Sequence, residues 1–171
     1  MTPVPSILPA ASGRIWRFGD NVDTDAMAPG VQMKFGIEVI ARHCLEGLRP
    51  EFPGSVRPGD VLVAGRNFGV GSSREQAPQA LRQLGVAAVV APSFAGLFYR
   101  NALNLGLPVL VCADTLRLQD GERAAIDLDA SAVLLADGSQ VACEPVPDFL
   151  CAMLRAGGLV PHLKRRLGRG G

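Results

Sequence analysis

Residues 86–91 and 107–112 are two uninterrupted runs of mostly small apolar side chains, and between them Leu97, Phe98 and Leu105 recur at helical spacing. A short apolar run without alternation, closed off by Gly85 and Pro92 or by Gly106, is the pattern of a strand buried on both faces. Two such strands joined through a helix over 94–105 lie parallel in one sheet, with a right-handed crossover. This pairing excludes an all-helical chain and a purely antiparallel one.

The remaining segments add to that unit. Apolar Ile15, Trp16 and Phe18 mark a short strand over 15–18, and a second follows at 60–64 after the turn Arg57-Pro58-Gly59-Asp60. Ile37, Ile40, Ala41, Cys44, Leu45 and Leu48 recur every three or four residues, which predicts an amphipathic helix over 36–48. Residues 126–129 alternate, and the runs 133–136 and 140–143 flank Asp137-Gly138, the signal of a two-residue hairpin. A helix is expected over 147–155, opened by Pro147 and stopped by Gly157-Gly158. The fold class is therefore α/β, a single domain with mixed parallel and antiparallel strands. Its 171 residues suit one core. Residues 1–12 read as a flexible leader, 13–158 as the domain, and 159–171 as a frayed basic tail.

Charge and ligand inventory narrow the chemistry. Lys and Arg number 17 against 16 Asp and Glu, a net charge of +1, so bulk attraction to nucleic acid or an anionic membrane is not expected. No apolar run approaches a membrane span, and no basic n-region opens the chain, which points to the cytoplasm. Cys44, Cys112, Cys143 and Cys151 form no C-x-x-C pair and fall in apolar runs, as reduced core thiols do. With only His43 and His162 beside them, no metal site is expected within this chain.

Two loops concentrate unusual polar residues. Asp20, Asn21, Asp23, Thr24 and Asp25 follow the first strand. Three carboxylates there suggest either a cation cradle, though without EF-hand spacing, or an Asx-turn loop, and the residue types favour the turn. The second loop, Asn67-Phe68-Gly69-Val70-Gly71-Ser72-Ser73-Arg74-Glu75-Gln76, leaves a strand and enters a helix. Ser72 or Ser73 can cap that helix, with Glu75 or Gln76 completing a capping box. The same loop also presents backbone N–H groups to an anion. Arg74 is poorly placed for the helix dipole and makes sense opposite a carboxylate or phosphate. Pro78 delays regular helix to about Ala77 and leaves 72–76 as a pre-helical turn. The loop is neither a Walker motif nor a complete dinucleotide fingerprint, and no serine-hydrolase triad assembles around it.

These motifs, with Pro58-Gly59-Asp60, Ala77-Pro78, the stretch from Ser93 to Asn101 and Gly106-Leu107-Pro108, resemble the small subunits of 3-isopropylmalate dehydratase, free-standing forms of the aconitase swivel domain. The likeness covers roughly 13–158 and implies a swivelling β/β/α domain. It implies an enzyme half, a hydro-lyase of leucine biosynthesis that interconverts 2- and 3-isopropylmalate by dehydration and rehydration. This chain then binds no cofactor, and the [4Fe–4S] cluster belongs to an aconitase-type large subunit, in a heterodimer or heterotetramer. By the resemblance Ser72 is the catalytic base, Ser73 assists, and Arg74 binds a carboxylate of the dicarboxylate substrate. Asp23, Thr24 and Asp25 hold substrate or orient the serine turn. Val31, Gln32, Met33 and Lys34 fall in the substrate-specificity loop, expected to be mobile around 28–36 without the partner. Val70 and Gln76 stand where many relatives carry cysteine and histidine. Homoaconitate, a methylated malate and citraconate are the alternative substrates, and a non-catalytic anion-binding module is the alternative of another kind.

Overall fold

The computed structural model describes residues 12–168. Among them seven strands make one sheet: β1 (Gly13–Arg17), β2 (Val61–Val63), β3 (Ala88–Ala91), β4 (Val109–Val111), β5 (Arg123–Asp127), β6 (Ala132–Leu135) and β7 (Gln140–Ala142). The spatial order is β4-β3-β2-β1-β5-β6-β7. The first four strands run parallel, with Ile15 beside Val61, Val61 beside Ala88 and Val89 beside Val109. The last three form an antiparallel meander on the other side of β1. The expected β-α-β unit is β3, α5 (Gly96–Asn104) and β4.

Side-chain alternation divides the interior in two. Trp16, Leu62, Val89, Ala91 and Val109 face a core built with α1 (Thr24–Met27), α2 (Ile37–Arg42), α3 (Phe52–Ser55), α4 (Gln76–Gln83), α5 and α6 (Asp148–Ala156). Ile15, Val61, Val63, Val90 and Leu110 face the other way and meet Ala124, Val133, Leu135 and Val141 of the meander. The sheet thus curls over its own second core. The Glu144 N–H, just past β7, donates to the Val111 carbonyl of β4 at 2.8 Å and draws the two ends of the sheet together.

A buried carboxylate ties the start of the sheet. Asp60 is 4% exposed and accepts from Arg14 N–H at 2.9 Å, Trp16 Nε1–H at 2.8 Å and Arg57 N–H at 2.9 Å. Those bonds offset the cost of removing the charge from water. They also hold the end of the Pro58-Gly59 turn against β1, where a Cβ on Gly13 would lie 2.0 Å from the Gly59 oxygen.

Several boundaries differ from the pattern-based reading. The helix expected over 36–48 ends at Arg42, because Leu45, fully buried with φ +60°, donates its N–H to the Ala26 carbonyl and turns the chain inward. The hairpin loop has three residues: Leu135 and Ser139 pair through Leu135 N–H, and Gly138 takes φ +92°, the geometry of a turn followed by a bulge. The segment read as a frayed tail is helix α7 (Leu159–Gly168), whose Leu159 packs on the core beside Leu150. Its Leu159, Leu163 and Leu167 lie one helical turn apart among the basic residues, and the high content of Lys and Arg hides that spacing. Apart from Ser12, the leader lies outside the described residues, as do 169–171. No helix of the described residues is long and apolar enough to cross a membrane.

Candidate active site

The polar loops leave the C-terminal ends of β1, β2 and β3, the end of a parallel sheet at which ligands usually bind. Each loop is stitched to the next. Gly69 N–H donates to the Val22 carbonyl at 2.7 Å, and Thr24 N–H to that of Val70 at 2.9 Å. Phe68 N–H donates to Ser93 at 3.1 Å, and Ala95 N–H returns the bond to Phe68 at 2.9 Å. The parallel register therefore continues past the strands, with Asp23 beside Val70 and Phe68 beside Phe94. Phe68 is fully buried and meets Phe98 edge-on at 5.2 Å. Gly69, at φ +88°, rests directly on that ring: a Cβ there would lie 2.3 Å from Phe98 Cγ.

Each aspartate of the first loop has a hydrogen-bond partner. Asp20 accepts the Arg66 N–H at 2.8 Å, and Asp23 caps α1 through the Ala26 N–H at 2.7 Å. Asp25 accepts from Arg74 Nη1 at 2.8 Å and from the Gly30 N–H at 3.0 Å. The Arg74 hydrogen bond, with that of Gly30, holds the Asp25 carboxyl below its ordinary value. Asp23, and Asp25 through Gly30, thus bond nearby backbone amides, while Asp20 and Asp25 also tie this loop to Arg66 and Arg74 of the second one.

The serine turn differs from a capped helix start. Regular helix begins at Gln76, one residue before the expected position, and no side chain caps it, so the capping box is not formed. Two left-handed glycines, Gly69 and Gly71, bend residues 72–74 away from the helix axis and out of capping reach. The N–H groups of Ser72, Ser73 and Arg74 consequently have no hydrogen-bond partner among the described residues. Thr24, 3% exposed, donates its hydroxyl to the Ser72 carbonyl at 2.8 Å and fixes that peptide plane. Arg74 Nη1 also donates to the Ala28 carbonyl at 2.9 Å, so one corner of the guanidinium is anchored.

Thr24, Gly71, Ser72, Ser73 and Arg74 line one side of an open cleft of about 160 Å³, and Gly96, Leu97 and Asn101 from the first turns of α5 line the other. Of the candidate residues, Thr24, Ser72, Ser73 and Arg74 meet here. Asp23 and Asp25 stand behind them as cap and arginine partner. Val31, Gln32, Met33 and Lys34 do not line the cleft; they form a 3₁₀ turn (Gly30–Phe35) that begins beside the Asp25–Arg74 pair. Asn101 and Leu97 escape the sequence reading. The signal for them is positional: they open the helix that directly follows a buried parallel strand. His43 pairs with Glu46 at 2.8 Å and takes no part in the cleft.

A parallel half-sheet joined to a curled antiparallel meander, with polar loops at the parallel strand ends, makes a swivel-type domain. Residues 52–114 match the family model described as the aconitase C-terminal domain. The methanogen homoaconitase small subunit of Methanothermobacter thermautotrophicus is 49% identical, over 92% of this chain and 93% of its own. The 3-isopropylmalate dehydratase small subunit of Syntrophus aciditrophicus is 45% identical, over 91% of this chain and 96% of its own. A crystal structure of 3-isopropylmalate dehydratase from Methanocaldococcus jannaschii superposes with a TM-score of 0.86 at 42% identity, covering 94% of this chain and 99% of that one. The chain belongs to the aconitase-type small-subunit family typified by 3-isopropylmalate dehydratase.

Proposed function

We propose that this chain is the small subunit of 3-isopropylmalate dehydratase, a hydro-lyase that interconverts 2- and 3-isopropylmalate in leucine biosynthesis in the cytoplasm. The observation that carries the reading is the convergence of Ser72, Ser73, Arg74 and Thr24 on one cleft at the ends of the parallel strands. The cleft, at about 160 Å³, is roughly half the smallest volume usual for an enclosed small-molecule site, which supports a second wall supplied by an aconitase-type large subunit.

The residues of this chain do not fit a [4Fe–4S] cluster. Cys44 is sealed in the core, Cys112 and Cys143 lie together at the far seam of the sheet, and Cys151 sits on α6. The reading therefore assigns the cluster to the large subunit, and the steps here concern this chain alone. The free corner of Arg74 grips a substrate carboxylate as a two-pronged donor. Ser72 takes the proton from the carbon beside a carboxylate. A hydroxyl can do so only where positive potential stabilises its alkoxide, and Arg74 and the unpaired N–H groups of 72–74 supply that potential. Ser73 adds a second hydroxyl at the same turn, and Thr24 keeps the turn in place through the Ser72 carbonyl.

A homoaconitate substrate is the second reading, favoured by the identity to a homoaconitase small subunit and by Lys34, exposed in the 3₁₀ turn as a cation for an extra carboxylate. Exposed Val31 and Phe35 in that turn favour the alkyl-substituted acid instead. Mixing the chain with a cluster-loaded large subunit and assaying isopropylmalate, homoaconitate, citraconate and a methylated malate separates these. The expected result is no turnover by the chain alone, preference for isopropylmalate in the mixture, and a collapse of kcat with Ser72→Ala. Preference for another acid overturns the substrate, undiminished kcat in Ser72→Ala overturns the mechanism, and failure to associate with any such subunit favours a non-catalytic module.

A further inference from the structure

We propose that Cys112 and Cys143 are a redox modification site, forming a reversible disulfide across the seam where β4 meets the chain just past β7. The pairings along the sheet make β7 antiparallel to β4. With Glu144 N–H bonded to the Val111 carbonyl, residue 112 falls opposite residue 143. Neither cysteine spends its amide on the other: Cys112 N–H donates to Ala91 at 2.9 Å, within the parallel half, and Cys143 N–H to Ser131 at 2.8 Å, within the meander. The two therefore occupy a non-hydrogen-bonded antiparallel pair. Such positions bring Cα atoms to about 4.5 Å, inside the roughly 4.4–6.8 Å span of protein disulfides.

The Cys112 thiol already reaches its neighbour's strand, donating to the Ala142 carbonyl at 3.6 Å, while the Cys143 thiol donates to that of Val141 at 3.9 Å. The Cys143 thiol beside it lowers the Cys112 thiol to about 7 and is itself raised, so Cys112 is the attacking sulfur and Cys143 the resolving thiol. Cys112 is fully buried and Cys143 half-buried, so a small oxidant reaches the pair from the Cys143 side of the seam. Cys44 contrasts with this: burial pushes its thiol up, and it has no thiol partner. With a peroxide, the Cys112 thiolate attacks one oxygen and the O–O bond breaks, giving a sulfenic acid and, after protonation, water. The Cys143 thiol then attacks that sulfur, its proton leaving with the displaced hydroxyl as a second water. Two thiols are oxidised and one peroxide is reduced. The product closes the sheet covalently into a barrel.

The test treats the purified full chain with hydrogen peroxide and digests it, unreduced, with trypsin and an endopeptidase that cuts before aspartate, which cleaves at Asp148 and separates Cys143 from Cys151. The expected result is a Cys112–Cys143 cross-linked peptide, reversed by dithiothreitol and absent from Cys143→Ala. A rise of roughly 5–10 °C in Tm should accompany it, in the unsubstituted chain and in Cys151→Ser but not in Cys143→Ala. Oxidation that stops at sulfinic acid, or a cross-link to Cys44 or Cys151, overturns the proposal.

Discussion

Arg74→Lys isolates what the guanidinium contributes beyond its charge. Nη1 is committed to Asp25 at 2.8 Å and to the Ala28 carbonyl at 2.9 Å, which aims the remaining edge into the cleft. A lysine offers one nitrogen, which either keeps Asp25 or reaches the substrate, so one charged hydrogen bond is lost. Such a bond is worth about 1.5–3 kcal/mol, so kcat/KM of the reconstituted enzyme should fall roughly 10- to 150-fold. Stability should hardly change, because the Asp25 side chain is 66% exposed and a surface ion pair contributes less than about 1 kcal/mol. Steady-state kinetics on the mixture, with urea unfolding of the isolated chain, separates the two effects. Unchanged kcat/KM refutes the carboxylate grip, and an equally large loss of stability shows that the arginine holds the fold instead. The pH dependence has a definite sign. The folded Asp25 is more acidic than its unfolded form, so its contribution is complete above the unfolded value, about 3.9, and disappears as pH falls through the lowered folded value. Across neutral pH the Asp25 contribution should be constant.

Asp60→Asn keeps the shape of the buried carboxylate but faces at least one of its three donors with an NH₂ group, and should cost about 2–4 kcal/mol in urea unfolding. A loss close to zero would show that those bonds are replaceable. Gly69→Ala combines a left-handed residue with a Cβ inside the Phe98 ring, and should lower stability by at least about 2 kcal/mol in thermal melts. Gly96→Ala, at the start of α5 with open space around the added carbon, should be near neutral and serves as its control.

The parts legible in the sequence are those specified by local pattern. The continuous apolar runs marked β3 and β4, Asp137-Gly138 located the hairpin, and the glycine-serine-arginine loop located the cleft. Two of the misreadings depend on a partner distant in the chain. Leu45 matches a helical spacing, yet its amide is claimed by Ala26 across a loop. Ser72 looks like a cap, yet the bend at Gly71 and the pull of Thr24 on its carbonyl set the turn apart from the helix. Asn101 gains its place from the packing of α5 over the glycine turn, and the cysteine seam from the meeting of the two end strands of a seven-stranded sheet. No window along the chain contains those relations.

The stitching of the three loops has a mechanical consequence. Val22, Thr24, Phe68, Gly69 and Ala95 are joined by backbone bonds as regular as those of the strands beneath them. The floor of the cleft is thus a stiff plate whose amides should resist hydrogen exchange as strongly as the sheet. A stiff floor cannot close around a ligand by bending. Under the proposed function, fitting an acid of a different shape would then fall to the turn at 30–35, which joins that plate through the Gly30 N–H and the partly buried Met33. Catalytic geometry and substrate choice would on that reading be carried by segments of unequal rigidity, and the second could drift in sequence without disturbing the first.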